Sequence, residues 1–110
     1  MKKLEGFQRK YLRGIAHGLK PVILIGQKGL TPELIKSAGE ALESHELIKV
    51  KFVDFKKKEQ KSEITTLLER GTASEIVGVI GHTAILYRQQ KDPEKRKVSL
   101  PLKNNALSRK

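Results

Sequence analysis

Two glycines that flank a lysine form the stretch of this chain best suited to chemistry, Gly26-Gln27-Lys28-Gly29. The stretch follows an apolar run, Pro21–Ile25, and precedes Thr31-Pro32, a pair typical of a helix start. Glycine permits a tight turn, and a helix N-terminus presents N–H groups and the positive end of its dipole. Lys28 adds a mobile cation. The pattern therefore predicts a site for a phosphate group.

Other chemistry is poorly represented. The glycine stretch lacks the four-residue spacer and the Gly-Lys-Ser/Thr ending of a P-loop, and it lacks the three-glycine dinucleotide fingerprint. The chain has no cysteine, and His17, His45 and His82 are not paired with carboxylates at metal-ligand spacing. We therefore expect no enzyme, no cofactor and no metal site. A tight strand-to-helix turn without a ligand is the alternative interpretation of the glycines.

The net charge of +11 is concentrated at the two ends of the chain. Residues 1–20 contain six Lys or Arg and one Glu, a net of +5, and residues 91–110 contain seven Lys or Arg and two acids, also +5. Residues 21–90 contain ten bases and nine acids, a net of +1. This distribution favours an anionic polymer as partner. A solubilising excess of charge is the alternative.

The first twenty residues predict an amphipathic helix with an apolar back and a basic front. Helical spacing places the apolar residues on one side: Leu4, Phe7, Tyr11, Leu12, Ile15, Ala16 and Leu19. The basic residues fall on the other side: Lys2, Arg9, Arg13, His17 and Lys20. Phe7 and Tyr11 are expected to be buried, so base stacking is expected to be secondary.

The remaining pattern predicts four strands, the last two of them in a hairpin, and two further helices. Pro21–Ile25 is continuously apolar, which is typical of a central strand covered on both faces. The other predicted elements are a helix from Thr31 to Ser44-His45, a strand at Leu47–Val53, a helix at Ser62–Arg70 stopped by Gly71, and strands Glu75–Ile80 and Thr83–Arg88 around Gly81-His82.

The predicted fold is an α/β domain of two or three layers. Its elements follow the order α-β-α-β-α-β-β, with three helices on a four-stranded mixed sheet. The two strand–helix–strand crossovers predict parallel neighbours, and the hairpin predicts an antiparallel pair. We expect one domain at residues 1–90 and a flexible basic tail at residues 91–110.

Four motifs in order resemble the CRM domain, the chloroplast RNA splicing and ribosome maturation module. They are Phe7–Val22, the loop Ile25–Thr31, Ala41–Lys51 and Ile80–Arg88. The resemblance covers roughly residues 4–89. A single copy resembles the stand-alone bacterial YhbY-type proteins of this family.

The resemblance implies a fold like the C-terminal domain of translation initiation factor 3. It also implies RNA binding and association with ribosomal RNA in precursors of the large ribosomal subunit. The residues implied in contacting RNA are Gly26, Gln27, Lys28, Gly29 and Thr31 at the loop and Arg9, Lys10, Arg13 and Lys20 near the first helix. One departure from the family is Arg70-Gly71-Thr72-Ala73, where the family often has Thr-Gly.

Two other functions remain open from the residues alone. One is a ribosome-associated protein-interaction module, and the other is a nucleotide-responsive factor with a cryptic phosphate site. Charge alone is also compatible with DNA binding. No apolar run approaches the ~20 residues of a membrane span, and the start lacks the apolar block of a signal peptide. We expect a cytoplasmic monomer without a membrane partner or a small-molecule substrate.

Overall fold

The computed structural model describes residues 3–53 and 57–102. Its elements are α1 (Gly6–Ala16), β1 (Ile23–Ile25), α2 (Pro32–His45), β2 (Leu47–Phe52), α3 (Lys58–Thr72), β3 (Glu75–Ile80), β4 (Thr83–Tyr87) and a short 3-10 helix (Pro93–Lys95). Within the described residues, the predicted order and the predicted mixed α/β class with three α-helices and a four-stranded sheet are confirmed.

The strands pair in the order β1-β2-β4-β3. β1 runs parallel to β2, whereas β4 is antiparallel to both of its neighbours. The crossover through α2 therefore joins parallel neighbours, as predicted. The crossover through α3 does not, and here the prediction is wrong. β2 and β3 point in the same direction, but β4 hydrogen-bonds with both and separates them.

The sheet separates two apolar cores, and the molecule therefore has three layers. Alternation along β2 sends Ile48 and Val50 to the face covered by α2 and α3, and Leu47 to the face covered by α1. The first core contains Ile23, Ile25, Ala38, Leu42, Ile48, Val50, Phe52, Leu68, Ala84 and Leu86. The second contains Leu4, Leu12, Ala16, Leu47, Val77, Ile85 and Tyr87.

β1 is an edge strand, not the central strand that its apolar run predicts. Ile23 and Ile25 are buried in the first core, whereas Leu24, which points to the other face, is 56% exposed. Leu24 is exposed because α1, which covers that face of the sheet, packs mainly over β3 and β2. One face of β1 near its end is therefore left open to solvent.

α3 is longer than predicted, since it spans Lys58–Thr72 rather than Ser62–Arg70. Gly71 is not the residue that stops it. Ala73 takes the left-handed conformation, with φ 54° and ψ 40°, and two backbone N–H groups bond back to the last turn in a Schellman arrangement. Gly71 instead faces α2, where an added Cβ would lie 3.0 Å from Cγ2 of Ile35.

β3 and β4 form the predicted hairpin around Gly81-His82. Gly81 has a φ of 60°, which a glycine at the first central position of a tight hairpin turn adopts readily. The extra residue Val77 shifts the register and creates a β-bulge. Beside it, a Cβ on Gly78 would lie 2.9 Å from Cδ of Arg13. The missing side chain therefore lets Arg13 lie across β3.

The buried Glu46 fixes the chain that follows β4. Glu46 caps the end of α2 with a φ of 66°, and its carboxylate accepts hydrogen bonds from the backbone N–H groups of Gln90 (2.7 Å), Lys97 (2.6 Å) and Val98 (2.8 Å). Its backbone carbonyl accepts from the N–H of Arg88 at 2.8 Å. We name residues 88–101 the strap.

The strap differs from the tail that the sequence predicts. Val98 and Leu100 pack against the core under α1, and the side-chain amide of Gln8 donates to the carbonyl of Pro101 at 3.0 Å. These contacts do not fit a flexible segment at residues 91–102. The link through Glu46 joins positions far apart in the chain, which local patterns do not reveal. Residues 103–110 lie outside the described residues, and flexibility there stays a prediction.

Candidate nucleic-acid interface

The glycine stretch is a hydrogen-bonded β-turn that follows β1. The N–H of Gly29 donates to the carbonyl of Gly26 at 3.0 Å, and the side chains of Gln27 and Lys28 between them are exposed. Gly29 has a φ of 77°, which favours glycine, whereas Gly26 lies outside the left-handed region. A Cβ on Gly26 would lie 3.8 Å from Val53 Cγ2, an ordinary contact. The backbone therefore favours glycine at position 29 but not at position 26.

The start of α2 offers fewer donors to an anion than the pattern predicts. Thr31 is the predicted N-cap, and its hydroxyl oxygen accepts the N–H of Leu34 at 3.2 Å. Pro32 has no N–H, and Glu33 adds a negative charge to the first turn. The N–H of Gly29 is used inside its own turn. Attraction for a phosphate at this stretch therefore comes chiefly from the exposed side chain of Lys28.

Arg9 and Arg13 bind the protein itself. Nη1 of Arg9 donates to the carbonyl of Leu4 at 2.7 Å and lies 3.3 Å from a carboxylate oxygen of Glu75. Nη1 of Arg13 donates to the carbonyl of Val77 at 3.1 Å. Both partners on the sheet belong to β3, which three strand spacings, or about 14 Å, separate from β1. Within the described residues, these two members of the basic front predicted for α1 are therefore tied to β3; Lys2 lies outside the described residues.

The outer face of α1 carries an aromatic side chain that was expected to be buried. Tyr11 is 42% exposed, while Phe7 is partly buried. Together with the exposed Lys10 and with Ile15, they surround an open depression in the helix surface. The apolar arc of α1 is wider than the surface of the sheet that it covers, so only its central stripe is enclosed.

Lys20 is also distant from the glycine turn along β1. It is exposed and precedes the start of β1, beside Val22 and Leu47, whereas the turn follows the end of β1. The structure therefore brings together the five predicted residues of the turn and the α2 start. It does not bring the four basic residues of the α1 region to them. Their predicted contacts with RNA remain predictions.

Two other lysines lie at the same end of the sheet as the turn, one on β2 and one at the hairpin turn. Lys51 is exposed and pairs with Leu24 of β1 in the sheet. Nζ of Lys61 lies 3.2 Å from the carbonyl of Gly81 in the hairpin turn, and that turn adjoins β2 because the N–H of Phe52 donates to the carbonyl of His82 at 2.8 Å. We name Lys28, Lys51 and Lys61 the basic sheet end.

Sequence patterns give only part of this grouping. Alternation within β2 places Lys51 on the side opposite Phe52, but the long-range pairing of β2 with β1 and β4 is needed to bring it beside the turn. Lys49, on the same side, is used differently. Its Nζ donates to the carbonyl of Leu19 at 3.0 Å and lies 3.5 Å from that of His17, where a cation stabilises the end of α1.

The three histidines occupy separate places, after α1, at the end of α2 and in the hairpin turn. In residues 3–53 and 57–102, no group of three or more His, Cys, Asp or Glu lies where it could hold a metal ion. None of the helices in that part of the chain is long and apolar enough to cross a membrane.

Fold and site together define a small three-layer α/β module with a glycine turn and a basic sheet end. The model of the CRS1 / YhbY (CRM) domain family matches residues 4–88 of this chain. The match covers the sheet, all three α-helices and the glycine turn of the described residues. The chain belongs to this family.

Two curated relatives match along nearly their whole length. The chain is 38% identical over 98 residues to "Probable RNA-binding protein YqeI" of Bacillus subtilis, a match that covers 89% of this chain and 99% of the relative. It is 40% identical over 103 residues to "RNA-binding protein" of Haemophilus influenzae, covering 94% and 100%. The family resemblance inferred from the four motifs is therefore confirmed.

A solved structure has the same fold. The solution structure of the hypothetical protein SAV1595 from Staphylococcus aureus superimposes with a TM-score of 0.75 at 36% identity. The match covers 90% of this chain and 100% of that protein. The three-layer arrangement is thus shared with a relative of nearly equal extent.

Proposed function

We propose that this chain is a non-catalytic RNA-binding protein that holds an RNA backbone at the basic sheet end. The observation that carries the proposal is that Lys28, Lys51 and Lys61 lie at the same end of the sheet, at the glycine turn, on β2 and at the hairpin turn. The relatives named as RNA-binding proteins and the CRM family support RNA as the polyanion. The net charge of +11 adds long-range attraction.

The finer part of the proposal concerns the target. We propose ribosomal RNA in precursors of the large ribosomal subunit, because the chain belongs to the family of the CRM domain, the chloroplast RNA splicing and ribosome maturation module. Phosphate contacts fix the position of a backbone without reading its sequence. Selection of that RNA then requires a second kind of contact, either with bases or with RNA shape. A monomeric state and a cytoplasmic location belong to the same proposal.

The test is the salt dependence of binding to a large-subunit ribosomal RNA fragment. Lys28→Glu is expected to weaken binding about threefold to tenfold and to reduce the slope of log K against log salt by about 0.7, as the loss of one phosphate contact predicts for single strands. Lys91→Glu makes the same charge change on the strap, at the other end of β4, and is the matched control.

The control is expected to lower affinity less and to leave the slope nearly unchanged. Circular dichroism and a thermal melt establish that both variants fold. Equal losses in the two variants would mean that RNA responds only to net charge, which contradicts a site at the basic sheet end. Stronger binding of duplex DNA than of RNA would overturn the choice of partner.

A further inference from the structure

The open end of the sheet carries a row of two apolar and two polar side chains beside the glycine turn. Register places Leu24 of β1, Lys51 of β2, Thr83 of β4 and Ile80 of β3 side by side across all four strands. Paired residues of neighbouring strands point to the same face, here the face that α1 covers elsewhere. We name these four residues the end row.

The end row is left uncovered because α1 ends before reaching it. The last carbonyls of the α1 region are held by Lys49, one side-chain repeat before Lys51 on β2. Leu24 is 56% exposed and Ile80 is 61% exposed, and Val53, which follows β2 beside the glycine turn, is 54% exposed. Apart from Leu102, these are the large apolar side chains of the described residues that are more than half exposed.

We propose that the end row is a platform for the unpaired bases of the RNA strand whose phosphates lie at the basic sheet end. The inference rests on the proposed function and adds the contact that the backbone site lacks. Leu24 and Ile80 offer apolar surface to base faces, and Lys51 between them places a cation within reach of the connecting phosphates. Bases displayed on single strands are the parts of RNA that proteins read.

Polar groups at the border of the platform suit base edges. A small cleft lies between α1 and the end row, and its lining includes His17, Lys49 and Thr83. The hydroxyl of Thr83 both donates and accepts, and a lysine only donates. An apolar surface that carries a cation and adjoins the glycine turn favours a nucleic acid over a protein partner, because Lys51, between Leu24 and Ile80, complements phosphate.

The test separates bases from backbone with two probes: a short unstructured RNA oligonucleotide and an abasic ribose-phosphate oligomer of the same length. The wild-type protein is expected to bind the base-bearing oligomer more tightly. The double variant Leu24→Ala/Ile80→Ala is expected to reduce this preference about threefold to tenfold while keeping its affinity for the abasic oligomer. Leu67→Ala, on α3 on the other side of the sheet, is the matched control and is expected to leave the preference unchanged.

Several results would overturn the inference. One is an equal affinity of the wild-type protein for the two oligomers. The others concern the double variant: an unchanged preference for the base-bearing oligomer, or an equal loss of affinity for both oligomers. If the double variant keeps its preference for the base-bearing oligomer but no longer binds ribosomal particles, the end row contacts a protein partner instead. Lys28→Glu distinguishes the two proposals, since it is expected to weaken binding of the base-bearing and the abasic oligomer equally. If Lys28→Glu weakens binding of neither oligomer, the proposed function is wrong. If it weakens both but Leu24→Ala/Ile80→Ala keeps the wild-type preference, only the proposal for the end row is wrong.

Discussion

Substitution of the two turn glycines is expected to have opposite effects on stability, although the sequence presents them as equivalent. Gly29 has a φ of 77°, and the left-handed conformation costs a residue with a Cβ roughly 1–2 kcal/mol. An alanine also restricts the unfolded chain, which contributes about 0.4–1 kcal/mol of stability. The balance predicts that Gly29→Ala lowers the free energy of unfolding by about 1 kcal/mol.

Gly26→Ala is expected to keep only the favourable part. Its φ lies outside the left-handed region, and the new Cβ would lie 3.8 Å from Val53 Cγ2, so there is neither strain nor overlap. Stability is expected to rise by about 0.4–1 kcal/mol. Equilibrium unfolding in urea measures both variants against the wild-type protein. Equal stabilities, or Gly29→Ala as the more stable of the two, would refute this account of the turn.

Position 26 is therefore the place to test the turn's role in RNA binding without disturbing the fold. Gly26→Asp and Gly26→Asn add side chains of nearly equal shape, so the difference between them reports charge alone. The aspartate, placed two residues from Lys28, is expected to bind RNA about threefold to tenfold more weakly than the asparagine variant at low salt. Indistinguishable affinities would show that no phosphate approaches this turn.

Three further outcomes are expected. Ala73→Gly is expected to raise the free energy of unfolding by about 1 kcal/mol, because glycine adopts the left-handed conformation at the end of α3 freely; an unchanged urea midpoint would contradict this. Glu46→Gln is expected to lower it by about 2–4 kcal/mol, because an amide cannot accept all three N–H bonds that the carboxylate accepts; undiminished hydrogen-exchange protection at Gln90, whose N–H would then face the amide NH2, would contradict this. Burial and the nearby Glu46 carboxylate raise the pKa of Tyr87 to about 12, above about 10 in an unfolded chain. A raised folded pKa means that this stabilisation, roughly 2–3 kcal/mol, is present below pH 10 and is lost as the pH rises towards 12. Since the chain has two tyrosines, Tyr11→Phe leaves Tyr87 as the single one, and its phenolate absorbance at pH 10 in folded protein would contradict the shift.

Local signals predicted much of the fold. The cap at Thr31, the strand that precedes Gly26, and the hairpin around Gly81-His82 depend on residues close together in sequence, and all three are present. The predictions that were wrong depend on contacts between residues far apart in the sequence. The edge position of β1 follows from the long-range pairing of β2 with β4, its open face from where α1 packs, and the contacts of the strap from Glu46, more than forty residues earlier.

The candidate site was predicted less completely for the same reason. Helical spacing correctly placed Arg9 and Arg13 on the same side of α1. Long arginine side chains can lie along the protein surface, however, and both of these reach β3. The exposure of Tyr11 depends on how much of α1 the sheet covers. Alternation within β2 places Lys51 on the side opposite Phe52, but its position beside the glycine turn depends on the pairing of three strands.

The position of β4 has a consequence for how the chain folds during its own synthesis. β4 is the last strand described along the chain, yet it joins β2 to β3 in the middle of the sheet. A nascent chain that ends before Thr83 holds two strands at one side and one at the other, with no hydrogen-bonded ladder between them. Completion of both cores therefore waits until nearly the whole chain has emerged, and a fragment ending at Gly81 is expected to lack the cooperative melt of the full chain.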